Sequence, residues 1–141
     1  MTYALSWPLQ EGIFAAICAD QICATFFDHR VFDGPAPFQG EAEVEGLFLT
    51  LGDEQVRDWS TGTDSGAEHL VMLTVHAPRR SFGEAKQAAA AVSDALLNGS
   101  VTLSRGRVVN ARFAEARTRR LERDALRQIE LRFRFVVEDT A

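Results

Sequence analysis

An alanine-rich stretch at residues 81–98 limits this chain to a small number of folds. Ser81 followed three residues later by Glu84 matches a capping box, which predicts that a helix begins there. Asn98-Gly99 predicts its end, because glycine adopts the left-handed conformation of a helix stop at little cost. Strand-like runs lie on both sides, so the pattern predicts a helix packed on a sheet. Its apolar side recurs at helical spacing, at Ala85, Ala88, Ala89, Val92, Ala95 and Leu96.

Two long strands are predicted near the C-terminal end. Residues 126–138 alternate strictly between apolar and polar side chains, and residues 107–117 form a second strand-like run. The run between them, residues 118–124, carries Arg119, Arg120 and Arg123. The pattern therefore predicts a long antiparallel hairpin with an arginine-rich tip. Its inward positions would be Ile129, Leu131, Phe133, Phe135 and Val137, and its outward positions Gln128, Glu130, Arg132 and Arg134.

Shorter elements precede these two features. Ser6-Trp7-Pro8 predicts the start of a first helix, with Ser6 as its N-cap and an apolar stripe at Leu9, Ile13, Ala16 and Ile17. A short helical turn is predicted at 20–27, and strands at 30–32, 47–51, 68–77 and 101–103. Residues 33–37 and 104–106 predict loops or turns, and residues 41–45 predict a solvated loop or a strand edge. Residues 53–65 predict a long polar loop, of the kind that often binds a partner.

Together these elements predict one α+β domain over residues 1–141. It would contain a mixed, mostly antiparallel sheet, with the N-terminal helix and the long central helix packed on it and the long hairpin at the C-terminal end. The chain contains no apolar run near the ~20 residues of a membrane span. Its start lacks the features of a signal peptide, so we expect cytoplasmic synthesis without secretion.

Charge is divided unevenly along the chain. Residues 1–78 contain two basic and 12 acidic residues, whereas residues 79–141 contain 13 basic and eight acidic residues. Fourteen of the 15 basic residues are arginine, whose planar group pairs well with carboxylates at interfaces. Two explanations fit this division. One copy binds the next head to tail, or each chain neutralises its own charges.

Residues that would support catalysis or metal binding are sparse. His69 and His76 occupy odd and even positions of one predicted strand, so they face opposite ways. Cys18 and Cys23 do not have the spacing of a zinc pair, and we expect both to be small buried side chains in a reducing cytosol. Nucleophile-elbow, Walker A and dinucleotide-binding motifs are absent from the sequence. We therefore predict no enzyme activity, no cofactor and no metal site.

Four segments, in this order along the chain, resemble a known family. They are Arg30-Val31-Phe32-Asp33 with Pro35 and Pro37; Asp58-Trp59-Ser60-Thr61 with Gly66, Glu68 and His69; Gly83-Glu84-Ala85-Lys86 with Ala95-Leu96-Leu97; and Val108-Val109-Asn110-Ala111-Arg112-Phe113 with Leu131-Arg132-Phe133-Arg134-Phe135. The chain resembles the tail-terminator, or tail completion, proteins of long-tailed phages and of the gene transfer agents of alphaproteobacteria. It departs from them at residues 118–124, where the family tip is polar and rich in Gly or Asp.

The resemblance implies a structural protein without catalytic residues. Six copies would form a ring that caps the head-proximal end of the tail tube, ends tube polymerisation and joins the tail to the head. Partners would be other copies, the tail-tube protein and the head-side connector or stopper, with no membrane. DNA would pass through the channel without sequence specificity. The protein would be assembled in the bacterial cytoplasm and located at the tail neck of a virion or phage-like particle.

Two alternatives remain open at the level of sequence. In the first, the chain would be a head-completion adaptor, a connector adaptor or a tail-tube subunit of the same particle. In the second, it would be a small cytoplasmic α+β domain that binds a ligand or acts as an enzyme. The latter predicts a deep pocket with convergent polar groups.

The candidate interface residues lie in the polar loop, before the central helix and on the hairpin. Trp59 would be an aromatic anchor, since tryptophan is enriched among the residues that dominate binding energy; its alternative is a side chain folded back on its own domain. Arginines of the hairpin would meet acidic residues of the first half of the next copy, contact DNA loosely, or form a solvated face. The full predicted set is Asp58, Trp59, Arg79, Arg80, Arg112, Arg117, Arg119, Arg120 and Arg123.

Overall fold

A computed structural model of the chain describes residues 3–33, 46–62, 65–77, 82–98, 101–121 and 126–139. These residues contain three helices and five strands, which confirms the predicted α+β class. The elements in chain order are α1 (Ser6–Ala19), α2 (Gln21–Phe27), β1 (Val31–Asp33), β2 (Phe48–Asp58), β3 (Gly66–Ala77), α3 (Phe82–Leu97), β4 (Arg107–Leu121) and β5 (Leu126–Glu138). None of the helices in this described part has the length and apolarity needed to cross a membrane.

The strands form one mixed, mostly antiparallel sheet in the order β1-β2-β3-β5-β4. β1 pairs with β2 in parallel, and the remaining neighbours pair antiparallel. β4 and β5 form the predicted hairpin, in which Phe113 lies opposite Phe133. β1 and β4 are the two edges of the sheet, and they differ in length and direction of pairing.

The alternation predicted for β5 is confirmed, and its bounds match the prediction. Phe133 and Phe135 are fully buried, whereas Arg132 is exposed. β4 extends to Leu121, beyond the predicted end at residue 117. Arg119 and Arg120 therefore lie on a strand, opposite Gln128 and Arg127, and not in a loop at the tip. The strand continues because its backbone hydrogen bonds with β5, and this pairing does not require apolar side chains.

The central helix α3 packs through its predicted alanine stripe. Ala85, Ala88 and Val92 are fully buried, and small side chains allow the helix to lie close to the sheet. Glu84 and Asp94 lie on the exposed side, as predicted. Ser81 and Gly99, which supply the predicted cap and stop, lie outside the described residues.

The first two helices begin in different ways. Ser6 is the first residue of α1 and not its N-cap, because its hydroxyl donates to Glu54 Oε1 at 2.6 Å and caps no backbone amide. Asp20 caps α2, since its carboxylate accepts from the amides of Ile22 and Cys23 at 3.0 Å. This cap explains why the predicted helical turn at 20–27 forms.

Two predictions about loops and strands are wrong. Residues 53–58 continue β2 instead of starting a polar loop, because residues 54–58 pair with β3 after a register shift, while one face meets solvent. Residues 101–103 are not a strand but an extended segment against α1. Gly12 permits this contact, since a Cβ there would lie 2.7 Å from the Thr102 carbonyl oxygen. The predicted loops at 34–37 and 41–45 lie outside the described residues.

Candidate assembly interface

The predicted hairpin arginines do not all face the same way. Phe113 lies opposite the buried Phe133, so neighbouring Arg112 points to the sheet face away from the helices. Arg117 and Arg119 share that outer face, opposite Glu130 and Gln128. Register shifts between Val108 and Asn110 and between Phe113 and Glu115 interrupt the alternation along the strand, and the second of them brings Arg117 and Arg119 to the same face as Arg112. We call Arg112, Arg117 and Arg119 the outer arginine row.

Arg120 lies on the opposite face of the hairpin. It pairs across the ladder with Arg127, whose guanidinium lies 4.7 Å from the centre of the Phe82 ring on α3. Arg120 therefore belongs to the helix side of the sheet and not to the outer arginine row. Arg79, Arg80 and Arg123, which were also predicted as interface residues, lie outside the described residues.

Part of the hairpin charge is neutralised within the chain. Arg119 Nη1 lies 3.3 Å from Glu130 Oε1, and Arg132 Nε lies 3.8 Å from Glu115 Oε1. Such exposed pairs contribute little to stability, about 0–1 kcal/mol each. The chain thus neutralises some of its own charge on this face, and these two pairs both join the two strands of the hairpin.

Further ion pairs lie at the base of the hairpin and on β3. Arg105 and Arg107 pair at 2.7 Å with Asp139 and Glu138, and hydrogen bonding to Asp139 raises the pKa of Arg105. Arg134 reaches Glu68 on β3 at 2.9 Å. The Arg134–Glu68 pair connects the acidic first part of the chain to the basic second part.

Arg112 and Arg117 differ from their neighbours. Both are exposed, and neither has an acidic side chain within salt-bridge distance among the described residues. An exposed arginine without an internal partner can pair with a carboxylate of another molecule without breaking an existing ion pair. These two residues are therefore the strongest cationic candidates for an interface in the part of the chain that the structure describes.

Asp58 and Trp59 lie at the end of β2, far from the outer arginine row. Gly66 pairs with Glu138 and Glu138 with Arg107, which places this loop beside the base of the hairpin. Trp59 is 47 % exposed, and its amide donates to the Gly66 carbonyl at 3.0 Å. The indole thus rests partly on its own domain and partly meets solvent. The Ser60 hydroxyl donates to Asp58 and lowers the pKa of that carboxyl group.

A second candidate surface, which the sequence interpretation missed, lies on α1. Trp7, Gln10, Glu11 and Phe14 form a stripe at helical spacing and, with Asp33 of β1, line a groove of about 320 Å³. Trp7 is 60 % exposed. The signal was present in the sequence as a second apolar stripe, at Trp7 and Phe14, beside the one at Leu9, Ile13 and Ile17. We call these five lining residues the α1 groove.

A polar cluster lies between α1 and the sheet. Glu54 accepts from Ser6 and lies 3.2 Å from Nδ1 of His69, which is fully buried. Burial alone would raise the pKa of Glu54, but the hydrogen bonds from His69 and Ser6 outweigh it and lower that pKa. The Ser6 hydroxyl donates to the carboxylate and not to the imidazole, so the contact that would activate a nucleophile is missing. This cluster fastens α1 to β2 and β3.

Metal ligands do not converge in the described ranges. They contain no group of three or more His, Cys, Asp or Glu side chains arranged to hold a metal ion. His69 and His76 lie on opposite faces of β3, as predicted, and bond to Glu54 and Thr50 respectively.

Comparisons with known proteins identify the family. The family model for Tail completion protein gp17 matches residues 11–138. The chain belongs to the tail completion protein family. This membership confirms the resemblance seen in the sequence. Among curated proteins, none matches the chain.

A solved structure extends this result to the fold of the chain. The chain is similar to one in the virion of a native gene transfer agent particle, with 39% sequence identity and a TM-score of 0.85. The match covers 97% of this chain and 99% of the other chain. The two chains therefore share their fold over nearly their full lengths.

Proposed function

We propose that this protein forms a ring that caps the head-proximal end of the tail tube in a phage-like particle. The ring would end tube polymerisation and join the tail to the head-side connector or stopper. The observation that carries this proposal is the 39% identity, over 97% of the chain, to a chain in a gene transfer agent virion. Membership of a family named for tail completion supports the same position in the particle.

The shape of the sheet supports a ring of copies. Its two edges are unlike, since β4 has 15 residues and β1 has three. A contact between unlike surfaces repeats head to tail, and it closes into a ring when the rotation allows. Charge favours such a contact, because the hairpin edge carries exposed arginines while most acidic residues lie in the first half of the chain. As proposed contacts we retain Arg112, Arg117, Arg119 and Arg120, with six copies as the expected number.

The proposed role requires no reaction. The ring would bind the tail-tube protein on one side and the connector on the other, and DNA would pass through its channel without base recognition. Exposed arginines can neutralise phosphates in any sequence. Trp59 and Asp58, at the base of the hairpin, would contact a neighbouring protein. Assembly would take place in the bacterial cytoplasm before the particle is complete.

Electron microscopy of particles produced without this protein tests the proposal. We expect tails of uncontrolled length beside unattached, DNA-filled heads, and restoration of normal particles by the wild-type chain. Tails of normal length that fail to attach would instead assign the protein to the head side, as an adaptor. Complete and normal particles would refute a structural role and favour a search for a ligand.

A further inference from the structure

We propose that the α1 groove receives the free edge of β4 from a second copy of this chain. In this contact Phe113 and its flanking arginines meet Trp7 and the carboxylates of Glu11 and Asp33. The inference rests on the proposed ring and specifies the surfaces that would build it.

The first observation is that α1 has two apolar sides. Leu9, Ile13 and Ile17 are buried against the sheet. Trp7 and Phe14 lie on another side, where Trp7 is largely exposed and Phe14 is half-buried and packs against the core. A surface helix of a single domain needs one apolar stripe, so a second stripe indicates a partner.

The second observation is the charge of the groove. Glu11 and Asp33 lie at its border, and both are exposed. Asp33 accepts a hydrogen bond from Gln10, which fixes β1 beside the helix. The α1 groove therefore combines an aromatic floor with two carboxylates, and its natural partner carries an apolar side chain between cations.

β4 presents that combination. Phe113 is 47 % exposed although it lies in a strand, and Val109 is similarly exposed. Arg112 and Arg117 have no acidic partner among the described residues. Because β4 is an edge strand, a partner that approaches its free edge meets the side chains of both faces. The edge can therefore supply Phe113 and the two arginines to one partner.

The bulges of β4 favour docking on a helix over the addition of another strand. They interrupt the regular spacing of the ladder between Val108 and Asn110 and between Phe113 and Glu115. Bulges twist an edge and discourage continuous pairing with a further strand. A groove on a helix surface requires side-chain fit and no ladder, so it suits this irregular edge.

The positions of the two surfaces favour a head-to-tail contact. Asp33 lies on β1, at the sheet edge opposite β4. The two surfaces are therefore different and well separated, and one copy can use both at the same time. Such a contact continues from copy to copy and does not stop at a two-fold dimer.

Cross-linking in assembled particles tests the contact directly. In a Cys18→Ser background, Ala15→Cys and Ala114→Cys, which lie beside the contact and keep Trp7 and Phe113, are combined and the particles are treated with a short bismaleimide. Both positions are exposed, so the fold should tolerate them, which a thermal melt checks. We expect a ladder of covalent multimers from the double variant and only monomers from each single variant. Multimers from either single variant alone would indicate a two-fold contact and overturn the inference.

Charge exchange provides an independent test with the purified protein and with particles. Glu11→Arg with Asp33→Arg, or Arg112→Glu with Arg117→Glu, should each raise the concentration at half-assembly by about tenfold or more. The chain with all four changes should return to within about threefold of wild type. Arg57→Glu, an exposed arginine on β2, is the matched control and should leave assembly unchanged.

The outcomes separate this inference from the proposed function. Two results together would overturn the groove contact and leave the capping role intact. They are particles with tails of normal length but no cross-linked ladder, and an assembly concentration that charge exchange does not change. Failure to rescue by the fourfold exchange would also overturn it. Normal particles in the complete absence of the protein would instead refute the capping role itself.

Discussion

Glu54 Oε2 lies 3.2 Å from His69 Nδ1, and its other oxygen accepts from the Ser6 hydroxyl. Because a carboxylate only accepts, the His69 Nδ1 carries the proton. The three side chains belong to β2, β3 and α1, so a single carboxylate connects the first helix to two strands. His69 is fully buried, so its Nδ1–H cannot bond to bulk water and depends on Glu54 as its hydrogen-bond acceptor.

Replacement of this carboxylate should destabilise the domain at neutral pH. Glu54→Gln removes the charged acceptor and should lower the free energy of unfolding by about 1–3 kcal/mol. Glu115→Gln, which alters an exposed pair at 3.8 Å, is the matched control. It should change that free energy by less than about 1 kcal/mol. Urea unfolding at pH 7 measures both values.

The effect of Glu54→Gln should depend on pH. The pKa of Glu54 is lowered in the folded protein. Its stabilisation is therefore present above the pKa of Glu54 in the unfolded chain, about 4.3, and is lost as pH falls through the folded pKa. Wild type and variant should converge in stability at acidic pH. An equal difference at pH 7 and in acid would show that the charge of Glu54 is irrelevant.

Two helical glycines should respond in opposite directions to alanine. Gly12→Ala places a Cβ 2.7 Å from the Thr102 carbonyl oxygen, so α1 must move away from the segment at 101–103. We expect a loss of about 1–3 kcal/mol in the free energy of unfolding. Gly83→Ala meets nothing within 4 Å and should stabilise α3 by about 0.5–1 kcal/mol. Thermal unfolding of both variants distinguishes these outcomes, and stabilisation by Gly12→Ala would contradict the close approach.

The two cysteines should differ in reactivity. Cys23 is buried, and burial, with the nearby Asp20, raises its pKa to about 12. Cys18 is exposed, although partial burial also raises its pKa. A thiol reagent at pH 8 should modify one thiol per folded chain and two per unfolded chain. Cys18→Ser should abolish the reaction of the folded protein, and rapid labelling of that variant would contradict the burial of Cys23.

The most regular elements were predictable because their side-chain pattern matches one period. α3 and β5 each bury one face, so Ala88 and Phe133 could be placed in the core from spacing alone. The end of β2 at 53–58 could not, because its polar side chains resemble a loop and only pairing with β3 makes it a strand. For the segment at 101–103 the error was the reverse, because a strand was predicted and none forms. Its apolar side chains pack against α1 without a strand partner.

The candidate surfaces were only partly predictable. Alternation alone would put Arg112 and Arg117 on opposite faces, and the register shift between Phe113 and Glu115 brings them to one face. The pairing of Arg119 with Glu130 likewise depends on the register of the hairpin. The prediction that both cysteines are buried was wrong, since Cys18 follows Ile17 onto the outer side of α1. The α1 groove was missed because Asp33 comes beside Trp7 only through the tertiary fold.

Reversal of charge at Arg119 and Arg120 should weaken ring formation, but the two positions should contribute unequally. Arg119→Glu brings a negative charge near Glu130, 3.3 Å from the present guanidinium, and should slightly destabilise the hairpin. Arg120→Glu lies opposite Arg127, where it gains an internal partner and should preserve stability. Urea unfolding separates stability from assembly, which sedimentation velocity measures. We expect the double reversal to raise the half-assembly concentration several-fold while Arg57→Glu does not. Unchanged assembly of the double variant would remove both residues from the proposed contact and leave Arg112 and Arg117 as the cations of the ring.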